Sequence, residues 1–485
     1  MRLVATSALV CASVLCVLLI ADRTSLAQPR DMACPANAIA VQPGASIQAA
    51  VDRAGDGASF CLKSGIYRMQ AVQPRSNQRF YGEGRTVLDG SRLLTDFRSE
   101  GRYWTAKSPF GQRPRHGECL ASAPACDMPD SLFMDDRPLT RVLSRSALAS
   151  DRFYVDDTAG KIYLADNPTR RRIEATVASF AFDSEASNVL ISNITVEKYS
   201  SAAQRGAIFA GDGKAWTIEN CEVRLNSGPG ISVGIGIRVR NCDIHHNGQI
   251  GIQGDGKDIL IESNRIWSNN TRGFDPAWEA GGVKIAESDG IVLRNNHVYE
   301  NNGNGLWCDI ECRNVVYEGN LVENNLHIGI FHEISFNAVI RNNIVRHNAI
   351  TNRKWFWGTD IGVAASQDVE VTGNTITAAA GGCAVMLLDQ GRRSDKGSEY
   401  KTRNNSVRSN AITFEGAPCA GGASDTARHD ENFDIIAKGD NRFDGNVYRA
   451  PRNSGPDRFA WGREITDWAG FRRKGLEKNG RLDLF

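Results

Sequence analysis

The sequence predicts an all-β solenoid, and three observations carry that prediction. A short strand, a polar residue, a second strand, an Asn and usually a third strand opened by Gly recur in WTIENCEVRLNSGPGISV, IRVRNCDIHHNGQIGIQG, IVLRNNHVYENNGNGLWC and VVYEGNLVENNLHIGIFH. Aligning the first polar position gives Cys221, Cys242, Asn264, Asn296, Asn320, Asn343, Asn374 and Asn410, separated by 21, 22, 32, 24, 23, 31 and 36 residues. A second column follows five residues later at Asn226, Asn247, Asn269, Asn301, Asn325 and Asn348, and residues 220–348 hold 20 of the 35 asparagines, too regular for loop composition. Third, Val, Ile and Leu fall on one side of the strands, as in Ile259-Leu260-Ile261 and Val315-Val316-Tyr317, so that side faces a common core.

Each element of the repeat has a physical reason. If one period is one coil, equivalent residues stack at about 4.7–4.9 Å, and Asn amides bond to one another up the column as they do in ladders. Asn also tolerates the left-handed conformation of a tight corner. Cys221 and Cys242 take the ladder position either as small buried residues or as a disulfide between rungs. A fixed repeat overrides the count of about three domains that 485 residues would otherwise suggest.

The chain start has a separate role. Arg2, an uncharged run from Leu3 to Ala21 and the small-x-small site Ser25-Leu26-Ala27 read as a secretory signal peptide, which predicts a secreted or periplasmic protein with no membrane attachment after cleavage. Removing residues 1–27 leaves 55 basic and 55 acidic residues, a neutral balance that argues against nucleic acid as a partner. Export also permits disulfides. Cys34 with Cys61, Cys119 with Cys126, Cys308 with Cys312 and Cys383 with Cys419 are local pairs, although spacing alone does not fix connectivity.

With the three-strand coil, the Asn and Cys ladders and the entry segment Gly44–Val51, Gly55-Asp56-Gly57 and Gly65-Ile66-Tyr67 in view, residues 36–425 resemble the right-handed parallel β-helix proteins of the pectate-lyase-like superfamily. The resemblance implies a right-handed parallel β-helix with an N-terminal capping helix, which covers the core and strand edges that an open solenoid end exposes. The expected organisation is a signal peptide over 1–27, cap and first coils over 28–97, an inserted β-rich excursion over 98–172, the β-helix core over 173–425 and a C-terminal tail over 426–485. Gly160-Lys161-Ile162-Tyr163-Leu164 after Asp156-Asp157 reads as a hairpin in the excursion. A monomer is expected.

A site on a solenoid should appear as related residues on neighbouring coils. Aligned on its opening Gly, the third strand turns Ser232, Gln253, Lys284, Trp307 and Phe331 outward, and likewise Asp255, Asp309 and Glu333. Asp309 and Glu333 then lie on adjacent coils, roughly 5 Å apart, where like charges raise one pKa unless a cation intervenes. Three uses stay open: the acid/nucleophile pair of a retaining glycosidase, a calcium site that also takes in Asp275, or acid/base work beside Lys284. The alternative is a solvated face with ordinary salt bridges.

Two of the long intervals place their extra residues just before this strand, at Thr271–Glu279 and Asn352–Asp360, where they would wall a groove. Trp278, Trp307, Phe331, Trp355 and Trp357 are the candidate flat faces for sugar rings. Gly273-Phe274-Asp275-Pro276 is similar to the Gly-Phe-Asp-Pro-His segment of alginate epimerases, with Ala277 where that segment has His and Arg272 where Tyr is usual. His332 follows the inward parity of Cys308 and Ile285, and joins Glu333 as an acid/base candidate only if the strand bends. The expected function is an exported protein acting on an acidic polysaccharide, as a lyase with Lys284 as base, or as a hydrolase or C5-epimerase. A non-catalytic carbohydrate-binding protein using the same groove is the reading from another class. Calcium is the one cofactor considered.

Overall fold

The structure, a computed structural model, describes residues 34–111, 115–351, 355–424 and 433–485. The signal-peptide reading falls on residues 1–27 and lies outside the described residues. The chain is a right-handed parallel β-helix in which each coil contributes three short strands. In one coil these are Thr217–Glu219, Glu222–Arg224 and Ile231–Val233, and the next repeats them at Arg238–Arg240, Asp243–His245 and Ile250–Lys257. Equivalent strands pair in parallel: Ile218 with Val239, Val223 with Ile244, and Ile231 with Ile252. The first and third strands share one sheet because Gly281–Arg294 runs unbroken around their corner, while the second strands form a sheet of 13.

Inward residues from all three strands make one apolar core running along the axis. The N-terminal end is closed by the helix Ile47–Arg53, whose Ser46 accepts a hydrogen bond from the Ala49 N–H and whose Ile47, Ala50 and Val51 pack on that core. At the other end the solenoid continues past residue 425: Phe443 pairs with Val407, Tyr448 with Ile412 and Phe459 with Ala420. The helix Trp468–Arg473 then packs Phe471 against Phe459 and closes the stack.

Both predicted ladders form, linked from Cys242 and from Asn226 onward. The Asn301 amide oxygen accepts from Asn269 N (3.1 Å) and Asn269 Nδ2 (3.0 Å), while its own Nδ2 donates to Ile266 O and to Asn325 Oδ1. Each column ends on a carboxylate: Asn348 donates to Asp360, and Asn446, beyond the predicted column, donates to Glu477. Cys221 and Cys242 are free buried thiols, so no disulfide joins their rungs. Cys34–Cys61, Cys119–Cys126 and Cys383–Cys419 are bonded, but Cys308 and Cys312 are not. Cys312 Sγ instead donates to the Ile285 and Asp309 carbonyls, inside a core where both thiols fill space.

The excursion interrupts the stack without breaking it. Leu190–Ser192 pairs directly with Arg79–Gly82 across the inserted segment. Within the excursion, Arg152–Asp156 and Lys161–Leu164 form the expected hairpin, in a five-stranded sheet with its own apolar cluster. Lys198 of the solenoid, 1% exposed, fixes its position by pairing with Glu174 at 2.6 Å and Asp136 at 2.5 Å. Arg68 also pairs with Glu174 at 2.7 Å, so the buried charges form a network rather than a single pair.

Asn301→Ala should lower unfolding stability by about 3 kcal/mol, because Asn269 N–H and the Asn325 and Ile266 acceptors lose their partner in a buried column. Asn295→Gly, at an exposed corner with φ 54°, should change stability by less than about 0.5 kcal/mol. Chemical denaturation of the two variants checks the contrast.

Candidate functional site

The third strands hold the site because their register is fixed on both sides. Val283, Leu306, Ile330 and Ile361 pair in sequence and point into the core. Lys284, Trp307 and Phe331 pair on the opposite side. The opening glycines are required by closeness: a Cβ on Gly305 would lie 2.5 Å from Gly329 O of the next coil.

Outward does not mean exposed here. Lys284, Asp309 and Glu333 are 8%, 6% and 7% exposed, because loops fold over the strand face. Lys284 Nζ lies 3.0 Å from Asp309 Oδ2, donates to Trp278 O at 3.2 Å and sits 4.1 Å from the Trp307 ring centre. A carboxylate, a carbonyl and an aromatic face thus surround the Lys284 nitrogen. Glu333 sits one coil on, beyond the paired Cys308 and His332. Burial, reinforced by the Asp309 charge, pushes Glu333 up to about 7, against the opposing pull of Gln390, Arg392 and Lys284. Gln390 Nε2 donates to Glu333 Oε1 at 3.1 Å and Arg392 Nη1 lies 3.4 Å from it. The two acids therefore differ: Asp309 has a neutralising cation in contact, and Glu333 is poised to exchange a proton near neutrality.

Gln390 and Arg392 were not legible as site residues. They lie on the segment after Cys383–Asp389 that leads toward the next coil, outside the repeating columns, and only folding lays that segment over Glu333. A further observation marks the same place: Trp307 Nε1 and Gln390 Oε1 are buried without hydrogen-bond partners among the described residues.

The aromatic residues are used differently from the expectation. Trp307 has Lys284 against its ring and Phe331 stacked at 5.6 Å, so it offers no open face to a sugar. Phe331 is covered in turn by Trp307, by Trp357 edge-on at 6.2 Å and by the close approach of Gly362. Both belong to a second apolar cluster outside the solenoid, with Phe356 and Met386. Trp278 packs on Phe274 and His116. Trp355, 36% exposed, keeps open surface.

His332 lies inside the solenoid, fully buried, its Nδ1 3.3 Å from Tyr317 Oη, and burial drives its pKa down to about 3. The strand does not bend there, so His332 and Glu333 point to opposite sides. Asp275 caps the short helix Pro276–Glu279 by accepting from Ala277 N. It does not converge with Asp309 and Glu333: among the described residues the one group of three converging metal donors is Cys34, Cys61 and Glu83, whose sulfurs are joined in a disulfide. Lys284 already occupies the cation position beside Asp309, so the three carboxylates do not fit calcium. Arg272, at the epimerase-like segment, binds the excursion through the Ala125, Cys126 and Met128 carbonyls.

Comparison with known proteins agrees with this architecture. The family described as right handed beta helix region matches residues 181–277 and 275–376. No curated protein sequence matches the chain. Among solved structures, XylC in complex with xylose superposes with a TM-score of 0.66 at 14% identity, over 90% of this chain and 82% of XylC. The A-module of mannuronan C-5 epimerase AlgE6 from Azotobacter vinelandii gives 0.51 at 17% identity, over 94% of this chain and 98% of the module. At these identities the likeness establishes the fold. No helix among the described residues is long and apolar enough to cross a membrane.

The raised Glu333 pKa has a sign that stability measurements can read. Between about 4.5 and 7 the folded state binds the proton more tightly than the unfolded chain, so this group's contribution is fully present below 4.5 and is lost as pH rises to 7. Glu333→Gln should therefore be more stable than the parent by about 2–3 kcal/mol at pH 8, with the gain vanishing at pH 4. Equal melting shifts at both pH values would remove the buried, raised carboxyl.

Proposed function

We propose that the chain is an exported polysaccharide-active enzyme that cleaves glycosidic bonds with retention, using Asp309 as nucleophile and Glu333 as acid and then base. One observation carries this reading: two carboxylates on adjacent coils, Asp309 in contact with Lys284 at 3.0 Å and Glu333 raised to about 7 by burial and its neighbour's charge. The strand spacing between adjacent coils, roughly 4.7–4.9 Å, is compatible with the carboxyl separation of about 5–5.5 Å in retaining glycosidases. Their different surroundings assign the roles. In the first step protonated Glu333 gives its proton to the leaving oxygen as the Asp309 carboxylate bonds to the anomeric carbon. In the second, Glu333 takes a proton from water, whose oxygen displaces Asp309. Lys284, in contact with Asp309, positions that carboxylate for its attack on the anomeric carbon.

Sugars are also named in the similar folds, xylose in the XylC complex and mannuronan in the epimerase, and that likeness of fold supports the substrate class by analogy. The three disulfides fit an exported protein. Elimination across a uronate C4–C5 bond is the second reading, favoured by Lys284 beside Asp309 together with Glu333, one coil on, raised to about 7. In that scheme Glu333, raised to about 7, takes the C5 proton, since Lys284 is engaged by Asp309, the Trp278 carbonyl and the Trp307 face.

Glu333→Gln should lower turnover by about 10²–10⁴, and the parent's kcat should decline above pH 7 as Glu333 ionises. Reducing ends without ultraviolet absorbance identify hydrolysis, and an absorbing unsaturated product identifies elimination. Polymer binding with neither product, unaltered by Glu333→Gln, would leave a carbohydrate-binding protein.

A further inference from the structure

A cavity of about 880 Å³ lies between the excursion and the solenoid corner that precedes the third strands. Asp275, which opens the helix Pro276–Glu279, lines it, whereas Trp278 in the same helix touches Lys284. Lys284, Asp309 and Glu333 are not among its walls. It is therefore a concavity distinct from the acid pair, within the roughly 300–1,000 Å³ typical of ligand sites.

Its charged walls are unequal. Arg141, Arg152 and Arg272 line it against the single carboxylate of Asp275. The Arg141 side chain is only 9% exposed, and one of its five N–H donors has a partner among the described residues, Nη1 to Asp130 at 3.2 Å. Arg272 donates to Cys126 O, Ser131 Oγ, Ala125 O and Met128 O, all uncharged, and no carboxylate pairs with it among the described residues. Burial and the nearby Arg141 charge pull its pKa down to about 10. Arg141, with unused donors, and Arg272, bound to neutral oxygens, share the field of the nearby Asp130 and Asp127, and two adjacent guanidinium groups leave room for an oxyanion to neutralise charge. Phe133, Leu139 and Leu143 supply apolar wall of the kind that packs on the C–H face of a sugar ring.

We propose that this cavity binds a uronate-bearing saccharide, with Arg141 taking the carboxylate and Arg272 reinforcing the field from beneath. The ligand class rests on the sugar-active reading above; the anion site rests on the cavity's own charge. The site makes the substrate an acidic polysaccharide, held by a charged unit at a distance from the bond that reacts.

Calorimetric titration with a digalacturonate, and with its carboxyl-reduced counterpart as probe of the same shape, tests this. The acidic disaccharide should bind, binding should weaken with added salt, and the reduced form should not bind. Arg141→Gln should weaken the acidic disaccharide by about ten- to a hundredfold. Arg141→Lys, which keeps the charge opposite Asp130 and guards against a folding defect, should retain part of the affinity. Glu333→Gln should bind as the parent does, so loss of catalysis there with binding intact separates the two readings. Equal binding of the reduced form, no binding of the acid form, or affinity untouched in a folded Arg141→Gln overturns the proposal.

Discussion

The hydrogen-bonded register between coils is the constraint on which the rest of this protein depends. A parallel solenoid could slip by one residue and send every side chain to the other face. The Asn columns prevent that slip, since each amide oxygen collects two donors from the preceding coil and each amide nitrogen reaches the following one. A shifted coil would leave several buried polar groups unpaired at once. The carboxylates of Asp360 and Glu477 finish the columns because the last amides still need an acceptor.

That register creates the acid pair. With Cys308 opposite His332, the following residues Asp309 and Glu333 are forced onto one face whatever their charge repulsion costs. The fold offsets the repulsion by setting Lys284, one coil earlier, against Asp309, and leaves Glu333 to be neutralised by a proton. The same stacking draws Trp307 and Phe331 into contact, so rings that look like sugar platforms in sequence cover each other instead.

The excursion turns a bare solenoid into a molecule with concavities. Its attachment through Lys198, Glu174 and Asp136 and through Arg272 at the corner holds a second sheet over the strands. The loops that bury Lys284 and Glu333 act in the same way, removing water from charges that would otherwise be weakly coupled.

What the sequence determined by itself was everything periodic: the parallel coils, the Asn columns at Asn264 and Asn226, the inward and outward sides of the third strand, and the adjacency of Asp309 and Glu333. These follow from spacing, because a solenoid converts sequence period directly into spatial neighbours. Tertiary structure decided what periodicity cannot encode. Gln390 and Arg392 reach Glu333 from a segment outside the repeat. Arg141 meets Arg272 across more than a hundred residues of chain, at one cavity. Cys308 and Cys312, close in sequence, stay unbonded, their thiols filling the core. Asp275, counted with the acid pair on sequence grounds, caps a helix instead. Each of these depends on how an insertion lands on the solenoid surface, a matter of shape and charge complementarity between segments whose separation in sequence carries no period.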